Sequence, residues 1–97
     1  MSFSQYKRVL LKLSGDILKG NEKSGIDFNL VGRIAEEIKR VSSSGIEVCI
    51  VVGGGNLFRG SEAEKIGYDR IIADNMGMLS TVINAMAIQN ALENTGI

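Results

Sequence analysis

The 97-residue sequence has no histidine, proline or tryptophan, and Cys49 is its only cysteine. Without histidine the chain lacks the commonest general base and cannot form a histidine-ligated metal site. A single cysteine excludes a disulfide framework and favours a reducing compartment. Because Cys49 lies within an apolar run, we predict a small buried core residue there and not a nucleophile. Chemistry would therefore depend on Lys, Arg, Asp, Glu and backbone amides.

An excess of either charge is also missing, since 11 Lys and Arg balance 11 Asp and Glu. A broad nucleic-acid surface needs a basic excess, so nucleic-acid binding is not expected. No apolar run reaches the length expected of a transmembrane segment, and residues 1–5 lack the apolar core of a signal peptide. We therefore predict a soluble, cytoplasmic chain with no membrane contact. Its length allows one small domain at most.

The most informative stretch is residues 46–56, with the sequence Ile-Glu-Val-Cys-Ile-Val-Val-Gly-Gly-Gly-Asn. Its apolar run, rich in β-branched residues, predicts a strand of a parallel sheet that is covered on both faces. The three glycines follow at the carboxyl end, where α/β sheets bind ligands, and backbone amides there can face an anion. With Arg59 nearby, we predict a phosphate cradle. The alternative is a tight strand-to-helix turn, for which one glycine would suffice.

Residues 7–15 form the first predicted strand, in which Lys12 interrupts the apolar pattern near the carboxyl end. An unpaired lysine is costly to bury, so Lys12 either reaches solvent or binds an anion, and its place at the strand end favours the anion. Residues 16–25 are predicted to be a polar loop. It is either an ordinary solvent-facing loop or a lid or regulatory segment.

Two helices are predicted. The first has Asp27 as N-cap and Gly45 just beyond its C-terminus, and the second runs roughly from Tyr68 to Asn94 after a connection at 61–67. The first has an apolar stripe of Leu30, Val31, Ile34, Ala35, Ile38 and Val41. The second has an apolar line of Ile71, Ile72, Met76, Leu79, Val82, Ile83, Met86 and Ala87, with Ile88 and Leu92 further round. Small residues at Ala73, Gly77, Ser80 and Ala85 would let another element approach closely. An arc this wide indicates a second partner, such as another subunit.

The predicted fold class is α/β, with two parallel strands in a βαβα order. Parallel sheets are rarely this small, so we interpret the chain as the N-terminal portion of a larger α/β protein. The glycines match neither the P-loop pattern nor the dinucleotide pattern G-x-G-x-x-G, which meets Phe58 at its last position. The companion motifs of a protein-kinase glycine loop are absent as well.

With these patterns excluded, the sequence resembles the amino acid kinase superfamily, and within it the bacterial UMP kinase (uridylate kinase) family. The resemblance rests on Tyr-Lys-Arg-Val-Leu-Leu-Lys-Leu-Ser-Gly (6–15), Gly25-Ile26-Asp27, Val-Val-Gly-Gly-Gly-Asn-Leu-Phe-Arg-Gly (51–60) and Ala-Asp-Asn-Met-Gly-Met-Leu-Ser-Thr-Val-Ile-Asn-Ala-Met-Ala (73–87). It covers nearly the whole chain and implies the carbamate-kinase-like fold, with residues 1–97 as the N-terminal portion of one domain and the C-terminal half absent.

The resemblance implies transfer of the γ-phosphoryl group of ATP to UMP, giving UDP and ADP, with Mg²⁺. Lys12 and Arg59 would be the catalytic residues. The ATP-binding set would be Lys12, Leu13, Ser14, Gly15, Gly55 and Arg59. Gly54 and Asp74 would bind UMP, and no protein metal ligand is implied. Charge on the transferring oxygens can be met by cations and fixed backbone dipoles, so this chemistry needs no general base.

The resemblance also implies GTP as an effector and a homo-oligomer, a hexamer in which the long helix makes a subunit contact. The effector segment would be Gly20, Asn21, Glu22, Lys23, Ser24 and Gly25. Gln89-Asn90 replace an Arg-Asp pair of GTP-responsive members, which argues against GTP control. Two alternatives remain: another kinase of the superfamily, such as a carbamate or acetylglutamate kinase, and a non-catalytic nucleotide-binding or oligomerising module. By itself the 97-residue chain is expected to be inactive.

Overall fold

A computed structural model describes residues 5–97, which form two strands and three α-helices. Strands β1 (Arg8–Leu13) and β2 (Glu47–Val52) pair in parallel over their full lengths, with Leu13 opposite Val52 at the carboxyl ends. The predicted parallel pairing is confirmed. The prediction that residues 1–5 do not form a signal peptide concerns mainly residues 1–4, which lie outside the described part of the chain.

The two faces of this sheet are unlike. Side chains alternate along each strand, so Val9, Leu11, Val48 and Ile50 point to a face that the helices partly cover. The opposite face has Leu10 across from Cys49, and both are exposed. The predictions of a strand covered on both faces and of a buried Cys49 are therefore wrong for the described residues. The helices that contact the sheet lie over one face only.

Helix α1 (Phe28–Ser43) follows its predicted limits closely. The carboxylate of Asp27 accepts a hydrogen bond from the amide of Leu30 at 3.1 Å, which is an N-cap contact. Gly45 follows the C-terminus with φ of 97°, a conformation that favours glycine. The predicted stripe faces inward, with Val31, Ala35 and Ile38 buried.

The segment after β1 is more ordered than the sequence analysis predicted. Residues Gly15–Lys19 form a 3-10 helix, and Leu18 within it is completely buried. The amide of Asp27 donates to the carbonyl of Leu18 at 2.7 Å and closes the loop that follows. The prediction of a polar loop over 16–25 is thus wrong for its first four residues, because one apolar side chain fills the core beneath them.

A second helix, α2 (Gly60–Lys65), occupies most of the predicted connection between 61 and 67. The sequence 56–60 also predicts a short helix or turn after the glycines, and a turn is present over residues 55–57, where the amide of Leu57 donates to the carbonyl of Gly54 at 3.0 Å. Ala63 is the buried residue of α2, and α2 packs on the long helix that follows.

Helix α3 (Arg70–Asn94) begins two residues after the predicted start and ends at the predicted residue. Its inward face is lined by Ala73, Ser80, Asn84 and Ile88. Most of the predicted apolar line points away from the rest of the chain, and Ile71, Leu79, Val82 and Met86 are all at least half exposed. Of the small residues, Ala73 and Ser80 are buried and Gly77 is half-buried, whereas Ala85 is exposed.

The core is a cluster of Leu18, Val31, Val52 and Ile88, which brings together the 3-10 helix, α1, β2 and α3. Gly96 follows α3 with φ of 95°, a conformation typical of a glycine that ends a helix. By length and composition α3 is also apolar enough to cross a membrane, contrary to the sequence analysis. Core helices of soluble proteins meet the same criterion, so one such helix is weak evidence for a membrane span.

Candidate functional site

The turns that follow β1 and β2 touch each other. The amide of Gly53 donates to the carbonyl of Leu13 at 3.1 Å, which extends the strand pairing into the turns. A methyl group built on Gly15 would lie 2.7 Å from the amide nitrogen of Gly55 and 2.8 Å from the carbonyl oxygen of Gly53. The structure therefore places the end of the segment 12–15 beside the glycine triplet.

Three backbone amides at this junction lack a partner within the described residues, and one of them, that of Gly15, belongs to a buried residue. Among residues 5–97, the N–H groups of Gly15, Gly54 and Gly55 donate to no acceptor. Backbone N–H groups usually find a partner in folded proteins, and adjacent free ones form a site for an anion. They project from two different turns that meet at the carboxyl edge of the sheet. This arrangement can hold a phosphate group without any acid or base.

The three glycines of the triplet differ in whether packing explains the lack of a side chain. A methyl group on Gly54 would lie 2.2 Å from the Oγ of Ser80 and 3.0 Å from the amide nitrogen of Thr81, so helix packing excludes a side chain there. A methyl on Gly53 or Gly55 would have no neighbour closer than 3.5 Å. Packing of the described residues thus accounts for Gly54 and leaves Gly53 and Gly55 unexplained, as expected if a ligand approaches them closely.

Two buried asparagines attach the glycine turn to α3. The side chains of Asn56 and Asn84 bond each other in both directions, at 2.7 and 3.2 Å, and are at most 2 % exposed. The side-chain Nδ2 of Asn84 also donates to the carbonyl of Gly53 at 2.7 Å. The sequence analysis did not assign a role to Asn84. Its signal was a polar side chain interrupting an apolar helix near Val82, Ile83 and Met86.

The predicted effector segment 20–25 is fastened at both ends. At Gly20, the amide donates to the carbonyl of Ile17 at 3.2 Å, φ is 60°, and a methyl group would lie 2.6 Å from the carboxylate of Asp27. The amide of Gly25 donates to the carbonyl of Asn56 at 3.0 Å, and the side chain of Asn56 donates to the carbonyl of Gly25 at 2.9 Å. Residues 21–24 between these anchors are exposed. The segment is therefore joined directly to the residue that follows the glycine triplet.

Arg59 lies beside Gly55 and is paired with a residue that the sequence analysis did not single out. Its Nη2 donates to both carboxylate oxygens of Asp16, at 2.7 and 2.8 Å. The Nζ of Lys19 is 3.9 Å from the same carboxylate. Asp16 follows Gly15 directly, so this ion pair connects the two turns.

Four further residues were predicted to bind a nucleotide: Lys12, Leu13, Ser14 and Asp74. Lys12 is exposed on the uncovered face of β1, with no ion-pair partner among the described residues. Leu13 is half-buried against the core, and the Oγ of Ser14 accepts from the amide of Asp16 at 3.3 Å. Asp74 lies on α3 and is exposed. Its carboxylate is 3.9 Å from the Nε of Arg70.

No group of three or more acidic, cysteine or histidine side chains within residues 5–97 is placed to hold a metal ion. The one carboxylate beside the glycine turn, that of Asp16, is already neutralised by Arg59. Since Mg²⁺ usually binds through phosphates with only one or two carboxylates, the metal would belong to an Mg–nucleotide substrate.

A parallel βαβ unit with a glycine turn at its carboxyl edge places the chain among the α/β proteins. The family model described as "Amino acid kinase family" matches residues 7–97. The chain belongs to the amino acid kinase family.

Among relatives, the chain is 53% identical over 96 residues to the uridylate kinase of Paramagnetospirillum magneticum, covering 99% of this chain and 40% of that protein. It is 55% identical over 93 residues to the uridylate kinase of Zymomonas mobilis, covering 96% of this chain and 38% of that protein. The chain thus spans about two fifths of the length of these relatives.

Solved structures show the same similarity. The UMP kinase of Ureaplasma parvum superposes with a TM-score of 0.85 at 44% identity, over 95% of this chain and 39% of that one. The UMP kinase of Bacillus anthracis gives a TM-score of 0.84 at 46% identity, over 92% of this chain and 36% of that one. The predicted fold class, the N-terminal portion of the amino acid kinase fold, is confirmed.

Proposed function

We propose that this chain forms the phosphate-binding portion of a UMP kinase, which transfers the γ-phosphoryl group of ATP to UMP. The observation that carries the proposal is the set of free glycine amides where the β1 and β2 turns meet. The relatives named uridylate kinase and the UMP kinase structures supply the substrate class.

In this proposal the free amides of Gly15 and Gly55 and the ammonium of Lys12 contact the phosphates of ATP, with Leu13 and Ser14 completing that wall. Arg59 approaches the same phosphates from the side of Gly55. Phosphoryl transfer proceeds through a state with charge spread over the equatorial oxygens, so positioned donors and cations supply the catalysis.

We propose further that UMP contacts Gly54 and Asp74. Because a side chain at position 54 would collide with Ser80, the contact at Gly54 is made by its backbone. Asp74 is exposed and paired only loosely with Arg70, so its carboxylate is available to the ribose hydroxyls. Both nucleotides would then meet over one turn, which provides the in-line arrangement that transfer requires.

The wider family properties are proposals as well. A soluble cytoplasmic homo-oligomer, hexameric when complete, would cover the exposed apolar line of α3. The anchored segment 20–25 is where GTP would act, since Gly25 and Asn56 bond to each other.

The test is a coupled assay of ATP-to-ADP conversion with a full-length kinase that contains this segment. UMP, CMP and dCMP would be compared as acceptors under identical conditions. We expect UMP-dependent turnover that far exceeds turnover with CMP or dCMP. Turnover with carbamate or acetylglutamate in place of UMP would assign the chain to another branch of the family. Nucleotide binding without any turnover would indicate a non-catalytic module.

A further inference from the structure

Arg59 is held by one edge only. Its Nη2 donates to both oxygens of the Asp16 carboxylate, whereas its Nε and Nη1 have no acceptor among residues 5–97. A guanidinium group presents five N–H donors in a planar fork and readily binds two anions on different edges. The structure therefore leaves half of this fork open.

The anchor itself is fixed by local backbone structure. Asp16 lies in the first turn of the 3-10 helix, and its amide donates to the Oγ of Ser14. Arg59, by contrast, lies at the N-terminal boundary of the short helix α2 and reaches Asp16 with a long side chain. The side chains of Arg59 and Asp16 are 47 and 44% exposed, so water alone would not hold the arginine in one position.

The pair borders the free amide of Gly55. A methyl group built on Gly55 would lie 3.5 Å from the Oδ1 of Asp16 and 3.9 Å from the Nη2 of Arg59. A bare carboxylate this close to a phosphate would repel it. Because the Nη2 of Arg59 donates to both oxygens of that carboxylate, the guanidinium neutralises its charge beside the turn.

We propose that Asp16 is a positioning residue, which holds Arg59 so that Nε and Nη1 face the phosphate bound at the glycine turn. This inference rests on the proposed function, because it takes the phosphate of a nucleotide as the ligand of that turn. Asp16 itself does not touch the substrate. It orients the arginine before the substrate arrives, and preorganised charge is most effective when it need not move during the reaction.

The test is a double-mutant cycle in the full-length kinase, with Asp16→Asn, Arg59→Met and the double variant. We expect Asp16→Asn to lower kcat about tenfold while the KM values for ATP and UMP stay within about twofold, since a small misplacement of a catalytic group acts on the transition state. Arg59→Met should lower kcat by about 10²–10³-fold. In the Arg59→Met background, Asp16→Asn should have no further effect, because residues that act as a unit are not additive.

Two further variants separate positioning from general effects. Asp16→Glu keeps the charge and should recover most of the activity that Asp16→Asn loses. Glu62→Gln removes an exposed carboxylate on α2, three residues from Arg59, and should leave kcat unchanged. The proposal is overturned if Asp16→Asn lowers kcat equally in both backgrounds. It is also overturned if Asp16→Asn lowers the KM values, which would make Asp16 a competitor of the phosphate.

A separate readout distinguishes failure of this inference from failure of the proposed function. If the wild-type protein shows no UMP-dependent turnover, the proposed function fails, and the same four proteins are compared for tripolyphosphate binding by calorimetry. Asp16→Asn should then weaken binding about tenfold with Arg59 present and leave it unchanged with Met at 59. Equal affinities of the wild type and Asp16→Asn would contradict the positioning role.

Discussion

At the scale of single residues, Gly54 and Gly55 are adjacent yet have different reasons to lack a side chain. A methyl group on Gly54 would enter α3 at Ser80 and Thr81, whereas one on Gly55 meets ordinary contact distances. Neither residue has a positive φ, so backbone strain does not separate them. The pair therefore distinguishes a packing requirement from a binding requirement.

We expect Gly54→Ala to destabilise the full-length protein by about 1–3 kcal/mol, the usual result of overpacking. Gly55→Ala should leave the free energy of unfolding nearly unchanged and weaken ATP binding, because the added methyl occupies space beside the free amide. Chemical denaturation and ATP titration of both variants check this. Equal loss of stability in both would show that Gly55 is also a packing glycine.

Lys12 is exposed near the carboxyl end of β1, and its proposed role is to contact the phosphates of ATP. Lys12→Ala in the full-length kinase should lower kcat by about 10²–10³-fold, with a smaller effect on the KM for UMP, since its charge is needed as the phosphoryl group moves. Lys7→Ala, which removes an exposed lysine near the opposite end of the strand, is the matched control for steady-state kinetics. A Lys12→Ala enzyme within about threefold of wild type would identify an ordinary solvated lysine.

Asp74 tests the acceptor side of the proposal. Asp74→Asn should raise the KM for UMP and leave ATP binding nearly unchanged, because the ribose loses a charged acceptor. Asp69→Asn, at the N-cap of the same helix, is a suitable control, since its side chain makes no capping hydrogen bond. If Asp74 serves only the dipole of α3, the variant loses about 0.3–1 kcal/mol of stability with unaltered UMP kinetics.

Individual residues were predictable where local chemistry decides their place. The strand, the three glycines and Arg59 together indicated where phosphate would bind, and the structure brings the two turns together as that prediction requires. The Asp16–Arg59 pair was not predictable, because its partners are separated by 43 positions and meet only when two turns dock. Cys49 was misplaced because an apolar run does not reveal which face of a strand the helices cover.

At the scale of elements, the attachment of the glycine turn to α3 rests on the Asn56–Asn84 pair. All buried side-chain polar atoms of the described residues have hydrogen-bond partners. Removing one member of such a pair leaves the other unsatisfied, and a buried unsatisfied group costs about 1–3 kcal/mol. The pair also joins the turn to Gly25, so its loss affects the segment 20–25.

We expect Asn84→Ala to lower the free energy of unfolding by at least that amount and to reduce activity by loosening the turn. Asn90→Ala, an exposed asparagine on the same helix, should change neither. Thermal unfolding and hydrogen exchange at the amide of Gly25 give the two readouts. An Asn84→Ala protein with wild-type stability and exchange would show that apolar packing alone holds the turn on α3.

The helices illustrate what periodicity can and cannot predict. For α1 the apolar stripe and the buried face coincide, because one face meets the core and the other meets water. For α3 they coincide only in part, because the stretch of the inward face that meets the glycine turn closely consists of small and polar residues, Ser80 and Asn84. The larger apolar residues then lie outside, where the hydrophobic pattern alone suggested the core.

At the scale of the whole molecule, the described residues bury one sheet face and leave two apolar surfaces open. One is the sheet face with Leu10, Cys49 and Val51, and the other is the outer side of α3. Exposed apolar surfaces of this kind mark contacts with other elements or chains. Since the relatives are about two and a half times as long, the further residues of such a protein would cover the sheet.

The central claim is that these residues bind phosphate groups but do not by themselves assemble a kinase. Effective molarities of about 10⁵–10⁸ M arise only when donor and acceptor are both held in line, and in the proposed function the described residues contact phosphates and at most one ribose. The most direct test measures UDP formation from ATP, Mg²⁺ and UMP by the 97-residue chain and by a full-length kinase that contains it, after size exclusion of both. We expect the full-length protein to produce UDP, and the 97-residue chain to self-associate and produce none. A monodisperse 97-residue monomer that makes UDP at a rate near that of the full-length protein would contradict the claim.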